Sequence, residues 1–147
     1  MKHKELVNLA MNYLLSAKQC NPVFTERGSA RISEMPDAIG WNSECIIIEC
    51  KVSIDDLKKD IKKSFRKDKE KGLGNRRFYL LPVFLYEHYV KNKEADYIPK
   101  GWGILVVVDN KQIRQIRLKG SSKFKSNIKA ERDYLRSRIL QVQRFGR

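Results

Sequence analysis

The stretch from residue 35 to residue 51 constrains the fold of this chain more than any other. It reads Met-Pro-Asp-Ala-Ile-Gly-Trp-Asn-Ser-Glu-Cys-Ile-Ile-Ile-Glu-Cys-Lys, so a continuous apolar run passes directly into Glu49 and Lys51. A short β-branched run bounded by turn-forming residues predicts a buried strand. Successive strand side chains point to opposite faces, so Glu49 and Lys51 share one face and Cys50 points to the other. Because unpaired buried charges are costly, we expect a functional site at this end of the strand.

Two carboxylates and a lysine recur at a characteristic spacing in this stretch. Asp37 and Glu49 are separated by eleven residues, and Lys51 follows Glu49 after one residue. Together with Pro36, this pattern resembles the motif of the PD-(D/E)XK nuclease superfamily. The resemblance implies an α/β, restriction-endonuclease-like fold, a mixed β-sheet flanked by α-helices with the motif on two adjacent strands. It also implies metal-dependent hydrolysis of phosphodiester bonds. A motif this short needs support from the rest of the chain.

The charge composition favours a polyanionic partner. The 147 residues include 31 Lys and Arg against 17 Asp and Glu, a net charge of +14. Such an excess is typical of proteins that bind DNA, RNA or an anionic membrane surface. No apolar run approaches the roughly 20 residues of a spanning helix, and no helix with exposed bulky apolar residues opposite Lys is expected, so a membrane partner is not favoured. The length predicts one domain over residues 1–147.

Cysteine usage and the amino terminus favour a cytoplasmic protein. Cys20, Cys45 and Cys50 are an odd number without a C-x-x-C pair, which is typical of reduced thiols. The first residues lead into an amphipathic pattern rather than into the apolar core of a signal peptide. The order of motifs along the chain is similar to that of small stand-alone bacterial and phage members of the superfamily. We therefore expect a cytoplasmic location in a bacterial or phage-infected cell.

Hydrophobic periodicity predicts alternating helices and strands. Apolar residues recur at helical spacing over residues 2–18, and Ser53 is the expected N-cap of a second helix. Asn127 is the expected cap of a last helix, whose buried stripe is predicted to be Ile128, Leu135, Ile139 and Val142. A short helix is expected over 83–90. Strands are predicted over 22–27, 32–39, 44–51, 78–82, 104–108 and 112–118, with 32–39 and 44–51 forming a hairpin around a turn at 40–43.

The resemblance implies a Mg²⁺ site, at which Mn²⁺ can substitute. Asp37 and Glu49 would supply carboxylate ligands, and the backbone carbonyl of Cys50 is a plausible third ligand. In the superfamily the first helix often offers a Glu to the metal, which makes Glu5 a further candidate ligand. The alternative for Glu5 is a solvated surface residue. Lys51 would orient the attacking water, neutralise the scissile phosphate or act as a base, and these roles remain open.

Other ionisable residues near the motif are given structural roles. Glu26 and Glu34 are interpreted as cross-strand partners of Arg27 or Arg31 rather than as ligands. His3 and His88 are isolated in the sequence and need no catalytic role. The expected catalytic residues are therefore Asp37, Glu49 and Lys51.

A basic stretch follows the motif directly. Residues 57–77 contain ten Lys and Arg against three Asp and Glu. A track for the phosphate backbone is favoured over a simple solvated face because the helix emerges from Lys51. Gly72 and Gly74 would let the loop backbone approach a phosphate closely. The expected nucleic-acid-binding residues are Lys58, Lys59, Lys62, Lys63, Arg66, Asn75, Arg76 and Arg77.

These features favour a metal-dependent nuclease without strong sequence specificity, since no base-reading motif is attached. The preference for DNA over RNA, and for endonuclease activity, comes from the resemblance. The alternative is a catalytically silent nucleic-acid-binding protein on the same fold. Homodimerisation is common in the superfamily, and a homodimer is left open because no stretch of this chain demonstrates one.

Overall fold

A six-stranded mixed β-sheet with helices on both faces forms the framework of the protein, and this confirms the expected α/β architecture. The computed structural model describes residues 1–26, 35–116 and 120–145. The strands lie in the sheet in chain order. The fourth strand is parallel to both of its neighbours, the third and the fifth, and all other neighbouring strands are antiparallel. The strands are β1 (Val23–Thr25), β2 (Ala38–Trp41), β3 (Cys45–Cys50), β4 (Arg76–Pro82), β5 (Gly103–Val107) and β6 (Ile113–Gln115).

Helices join the parallel strands and cover the sheet. Parallel neighbours cannot be joined by a tight turn, so β3–β4 and β4–β5 each require a crossover, and both crossovers are helical. None of the helices in the described ranges combines the length and apolar character needed to cross a membrane. The helices are α1 (His3–Ser16), α2 (Ile54–Ile61), α3 (Ser64–Lys67), α4 (Val83–Leu85), α5 (Glu94–Tyr97) and α6 (Ile128–Phe145), with a 3-10 turn at Lys69–Lys71 and a π-helical turn at Tyr86–Val90.

Two apolar layers enclose the sheet because strand side chains alternate between its faces. On one face, Ile48 packs in a cluster with Leu6 of α1. On the other face, Ile47 packs in a cluster with Leu57 of α2. Glu49 continues the alternation of Ile47, so its side chain leaves the sheet on the α2 side.

The local signals around the motif and at the helix starts are confirmed. β2 and β3 form the predicted antiparallel hairpin, with Ala38 opposite Ile48. Ser53 accepts a hydrogen bond from the backbone N–H of Asp56 at 3.2 Å, as an N-cap does. Asn127 caps α6 in the same way. Residues 32–34 and 117–118 of two predicted strands lie outside the described residues, as do Arg27, Arg31 and Glu34.

All three cysteines lie in the described ranges, where no disulfide bond joins them, and all three are buried. Cys45 lies in the apolar layer on the α2 side of the sheet, and Cys50 lies in the layer under α1. The opposite orientation predicted for these two residues is therefore confirmed.

The predicted buried stripe of α6 is wrong. Ile128 and Ile139 are 68% and 57% exposed, and Val142 is also exposed. Tyr134 and Arg138 are buried instead, because Arg138 donates hydrogen bonds to the Tyr134 hydroxyl and to the carbonyl of Thr25 in β1. A guanidinium whose donors are satisfied can be buried without a large penalty, and hydrophobic periodicity does not detect it.

We predict that α6 depends for its packing on Arg138 rather than on Ile139. Arg138→Ala should lower the free energy of unfolding by about 2–3 kcal/mol, because hydrogen bonds to a charged group are lost and buried acceptors are left. Ile139→Ala should change it by less than about 0.5 kcal/mol, because that side chain is exposed. Urea denaturation of both variants measures the difference, and equal losses would contradict this packing.

Candidate functional site

Three acidic residues occupy neighbouring strand positions at the carboxyl end of β3. Ala38 and Ile48 are the last paired residues of the hairpin, so Asp37 and Glu49 are the next residues on its two strands. The backbone N–H of Glu26 donates to the carbonyl of Asp37 at 3.0 Å, which continues the pairing of β1 with β2. Side chains that are directly opposite in antiparallel strands lie on the same face, with Cβ atoms about 5 Å apart. The expected neighbourhood of Asp37 and Glu49 is therefore present, with Glu26 beside it.

The Asp37 carboxylate is anchored to the backbone of the neighbouring strand. Its Oδ2 atom accepts a hydrogen bond from the N–H of Cys50 at 2.7 Å. Its Oδ1 atom lies 3.4 Å from Nε2 of His3, which comes from the first turn of α1. His3, which is isolated in the sequence, therefore lies beside a motif residue, because the start of α1 lies against the end of β2.

The three motif side chains are almost buried, but their ionic partners differ from those expected. Asp37, Glu49 and Lys51 are 6%, 5% and 9% exposed. The ammonium of Lys51 lies 3.3 Å from Oδ1 of Asp60 in α2. Oε1 of Glu49 lies 3.2 Å from the guanidinium of Arg66 in α3. The strand end is thus tied to the two helices that follow it.

Asp60 is the centre of this buried network, and the sequence analysis did not identify it. The residue is 1% exposed. Its Oδ2 atom accepts from Nε of Arg66 at 2.8 Å and from the hydroxyl of Tyr79 in β4. Its Oδ1 atom also pairs with the ammonium of Lys63 at 3.4 Å. Four side chains, one each from the end of β3, the turn between α2 and α3, α3 and β4, therefore converge on one carboxylate.

The surroundings of Asp60 keep it ionised. Burial alone would raise the pKa of Asp60, but the charges of Arg66 and Lys51 and the hydrogen bonds from Tyr79 and Arg66 lower it to about 2. Burial and then the Asp60 charge raise the pKa of Tyr79, so the phenol stays protonated and donates. The network therefore contains a carboxylate that is charged at any pH near neutrality.

Arg66 is held on several sides. Its guanidinium links Asp60 to Glu49. It also lies over the rings of Phe65 and Trp102, at 4.8 and 4.5 Å from their centroids. Cation–π contacts of this kind favour a buried guanidinium. Arg66, which was predicted to contact phosphate, is thus buried and held by ion pairs within the site.

Glu26 contacts the motif residue Asp37, and this contact was not predicted from the sequence. Partial burial raises the pKa of Glu26, and a side-chain hydrogen bond with Asp37 and the Asp37 charge raise it further, against the opposing charges of His3 and Lys51. Two carboxyl groups in contact therefore share this part of the site. The signal was available in the strand register, because a three-stranded meander places Glu26 opposite Asp37. The partners proposed for Glu26, Arg27 and Arg31, lie outside the described residues.

The other expected metal ligands are less well supported. Glu5 is exposed, and it is two residues from His3, so the two project from different sides of α1. The Cys50 carbonyl lies at the end of β3 beside the carboxylates, and burial, followed by the charges of Asp37 and Glu49, raises the pKa of the Cys50 thiol. Over residues 1–26, 35–116 and 120–145, no group of three or more His, Cys, Asp or Glu is arranged to hold a metal ion.

Asn75 and Arg77, which were predicted to contact phosphate, bind backbone groups of the protein itself. Arg77 is 1% exposed and donates to the carbonyls of Gly74, Gly72 and Lys69 at 2.8–3.1 Å. A Cβ at Gly72 would lie 2.7 Å from the Arg77 guanidinium, which explains the glycine. Asn75 accepts from the N–H of Cys45 and donates to the carbonyl of Phe124.

Of the remaining basic residues, Arg76 contacts other parts of the protein, whereas the lysines are exposed to solvent. Arg76 is half-buried, pairs with Glu44 at 3.2 Å and donates to the carbonyl of Ser121. Four lysines on and after α2 are exposed, as expected for residues that contact a polyanion. These are Lys58, Lys59, Lys62 and Lys63.

Comparison with known proteins finds a similar fold but gives no information about function. No protein-family model matches the chain, and no curated protein matches it. Among solved structures, the chain is similar to the SPO1766 protein of unknown function from Silicibacter pomeroyi, with 18% sequence identity and a TM-score of 0.59. The similarity covers 99% of this chain and 94% of that chain. At this identity, the likeness concerns the fold alone.

The depressed pKa of Asp60 predicts a pH dependence of stability. A carboxyl whose pKa is lower in the folded state stabilises the fold above its unfolded pKa, and this contribution is lost as the pH falls through the folded value. For Asp60 the pKa falls from 3.8 to about 2. We expect a contribution of about 2 kcal/mol that is complete near pH 5 and declines towards pH 2.

Urea denaturation at several pH values checks this contribution. Asp60→Asn should be less stable than the parent at pH 6 and should lose about 2 kcal/mol less than the parent between pH 5 and pH 2. The exposed Asp55→Asn is the matched control and should follow the parent. Parallel curves for the parent and Asp60→Asn would contradict the assignment.

Proposed function

We propose that the protein is a metal-dependent nuclease with a restriction-endonuclease-like fold, acting on phosphodiester bonds with a preference for DNA. The observation that supports the proposal is the meeting of Asp37, Glu49 and Lys51 at one end of the sheet. Asp37 and Glu49 are twelve positions apart in the sequence, and the register of the hairpin brings them to the same end of the sheet. Glu49 and Lys51 are two positions apart, and the alternation of side chains along β3 puts them on the same face. If Glu49 and Lys51 served only to form ion pairs that stabilise the fold, no acidic residue would be needed at position 37.

The carboxylates are suited to Mg²⁺. This ion is usually bound through one or two carboxylates and keeps several waters, so a complete cage of protein ligands is not needed. The contact between Glu26 and Asp37 concentrates negative charge that a cation would offset. Asp37 and Glu49 are the residues that would hold the ion, with the Cys50 carbonyl beside them. The bound ion would lower the pKa of its water and offset charge on the phosphate.

The chain's own residues would orient and neutralise the reacting groups. The N–H of Cys50 fixes the direction of the Asp37 carboxylate. Lys51 presents an ammonium at the same strand end, where it can attract the scissile phosphate or orient water. Asp60 fixes the position of that ammonium at 3.3 Å. The exposed lysines of α2 would contact the flanking phosphates, and such contacts position a nucleic acid without reading its sequence.

The alternative function is nucleic-acid binding without cleavage. It is favoured by the ionic partners of the motif, since Glu49 is paired with Arg66 and Lys51 with Asp60. Carboxylates and ammonium groups that are satisfied by each other can serve stability alone. This alternative retains the basic surface and predicts binding that is independent of divalent ions.

Cleavage assays distinguish the two functions. The parent, incubated with plasmid, linear and single-stranded DNA and with RNA in Mg²⁺ or Mn²⁺, is expected to cleave DNA. Asp37→Asn should reduce the rate by at least about 100-fold, since several kcal/mol of transition-state stabilisation are lost. Asp55→Asn makes the same chemical change at an exposed position of α2 and should cleave like the parent.

The outcome for each protein has a direct meaning. Equal cleavage by Asp37→Asn and the parent would place the activity elsewhere. No cleavage of any substrate by the parent, with binding retained in EDTA, would establish the binding protein instead.

The exposed lysines of α2 provide a separate prediction. Replacing Lys58, Lys59 and Lys62 by Ala should weaken DNA binding and reduce the slope of log K against log salt by about 2–3, because each phosphate contact contributes about 0.9. The control replaces Lys123, Lys125 and Lys129, which are also exposed. Lys123 pairs with Glu44 beyond the opposite end of β3, so this control lies away from the site. Fluorescence anisotropy across a salt series measures the slopes, and equal slopes in the two triple variants would exclude the α2 track.

A further inference from the structure

Four buried charges of alternating sign connect the end of β3 to the following helices. Lys51 pairs with Asp60, Asp60 with Arg66, and Arg66 with Glu49. Lys51 and Glu49 belong to the same face of the strand, so this series of ion pairs begins and ends at the same end of β3. Each residue in this set is at most 9% exposed. Electrostatic attraction at such positions is weakly screened. The way in which Lys51 and Arg66 are shared between Asp60 and Glu49 therefore strongly affects the electrostatic potential at each carboxylate.

Asp60 determines how much positive charge Glu49 receives. The ammonium of Lys51 lies at Asp60 although Glu49 is only two residues away on the same strand face. Arg66 divides its guanidinium between Asp60 at 2.8 Å and Glu49 at 3.2 Å. The hydroxyl of Tyr79 adds a hydrogen bond that stabilises the Asp60 charge. Without that charge, Arg66 would keep Glu49 as its acidic partner, and Lys51 would be released towards the carboxylates at the strand end, Glu49 and Glu26.

We propose that Asp60 is a positioning residue that keeps Glu49 available to a divalent cation by drawing Lys51 and Arg66 towards itself. The inference rests on the proposed function, because it assigns Asp60 a role in loading the same site. Asp60 touches neither the substrate nor the ion. Arg66 competes with the ion for Glu49, and Asp60 limits this competition.

Substitutions of Asp60 and of Arg66 should therefore have opposite effects on metal affinity. Mn²⁺ binding to the chelator-treated protein is measured by isothermal titration calorimetry, with no nucleic acid present. Asp60→Asn should weaken binding about 10-fold, in the range found when residues that support metal ligands are removed. Arg66→Gln should strengthen binding about 5-fold, because Glu49 loses its competing cation. A purely structural role would make both variants bind more weakly.

Tyr79→Phe is the matched control. It removes a hydrogen bond to Asp60 but keeps the carboxylate charge, so it should lower stability and leave Mn²⁺ affinity within about 2-fold of the parent. Circular dichroism confirms that each variant is folded. If Asp60→Asn fails to fold, the comparison is made in the Arg66→Gln background, where removal of both buried partners is better tolerated. There, Asp60→Asn should still weaken Mn²⁺ binding about 5-fold, since Lys51 is released towards Glu49.

The failure of this inference differs from the failure of the proposed function. If the parent binds Mn²⁺ and Asp60→Asn binds it equally well, Asp60 has no positioning role and the nuclease proposal is unaffected. If Arg66→Gln binds more weakly than the parent, competition by Arg66 is excluded. If the parent binds no Mn²⁺, both the metal-dependent function and the role of Asp60 are overturned.

Discussion

The buried carboxylate of Asp60 is the interaction on which the arrangement of this end of the protein depends. It joins α2 to α3 through Arg66, to β4 through Tyr79 and to the end of β3 through Lys51. Removing one partner from such a buried set leaves a charge uncompensated, which costs far more than the set contributes when it is complete. The crossover after β3 is thus fixed by charge as well as by the apolar contacts of Leu57.

A second constraint is the register of the hairpin. A shift of one residue would turn Glu49 and Lys51 into the apolar layer under α1 and bring Ile48 to the site. Because Ile46 and Ile48 fill one layer and Ile47 the other, the register is strongly specified by burial. The hydrogen bond from Cys50 to Asp37 adds a polar contact at the open end. The same apolar alternation that stabilises the sheet therefore aligns the carboxylates.

The sequence predicted what local signals and alternation determine, and it failed where tertiary contacts decide. The strand through Glu49, the hairpin and the caps at Ser53 and Asn127 are set by residues close in sequence, so they were predicted. The partner of Lys51 depends on where α2 packs, and Asp60 lies within a run of lysines that was interpreted as an exposed track for phosphates. The buried side of α6 was assigned to its apolar residues, whereas Arg138 occupies it with the help of Tyr134.

The basic excess of the chain has two different physical uses. Arg66, Arg77 and Arg138 are buried, because a planar guanidinium can satisfy several carbonyls or carboxylates at fixed angles. The lysines of α2 stay exposed, because a compact ammonium is strongly hydrated and is costly to bury. The positive charge that is exposed on α2 is therefore carried by lysine. Flexible point charges of this kind suit phosphates better than base edges, and for this reason the proposed contacts would follow the backbone of a nucleic acid.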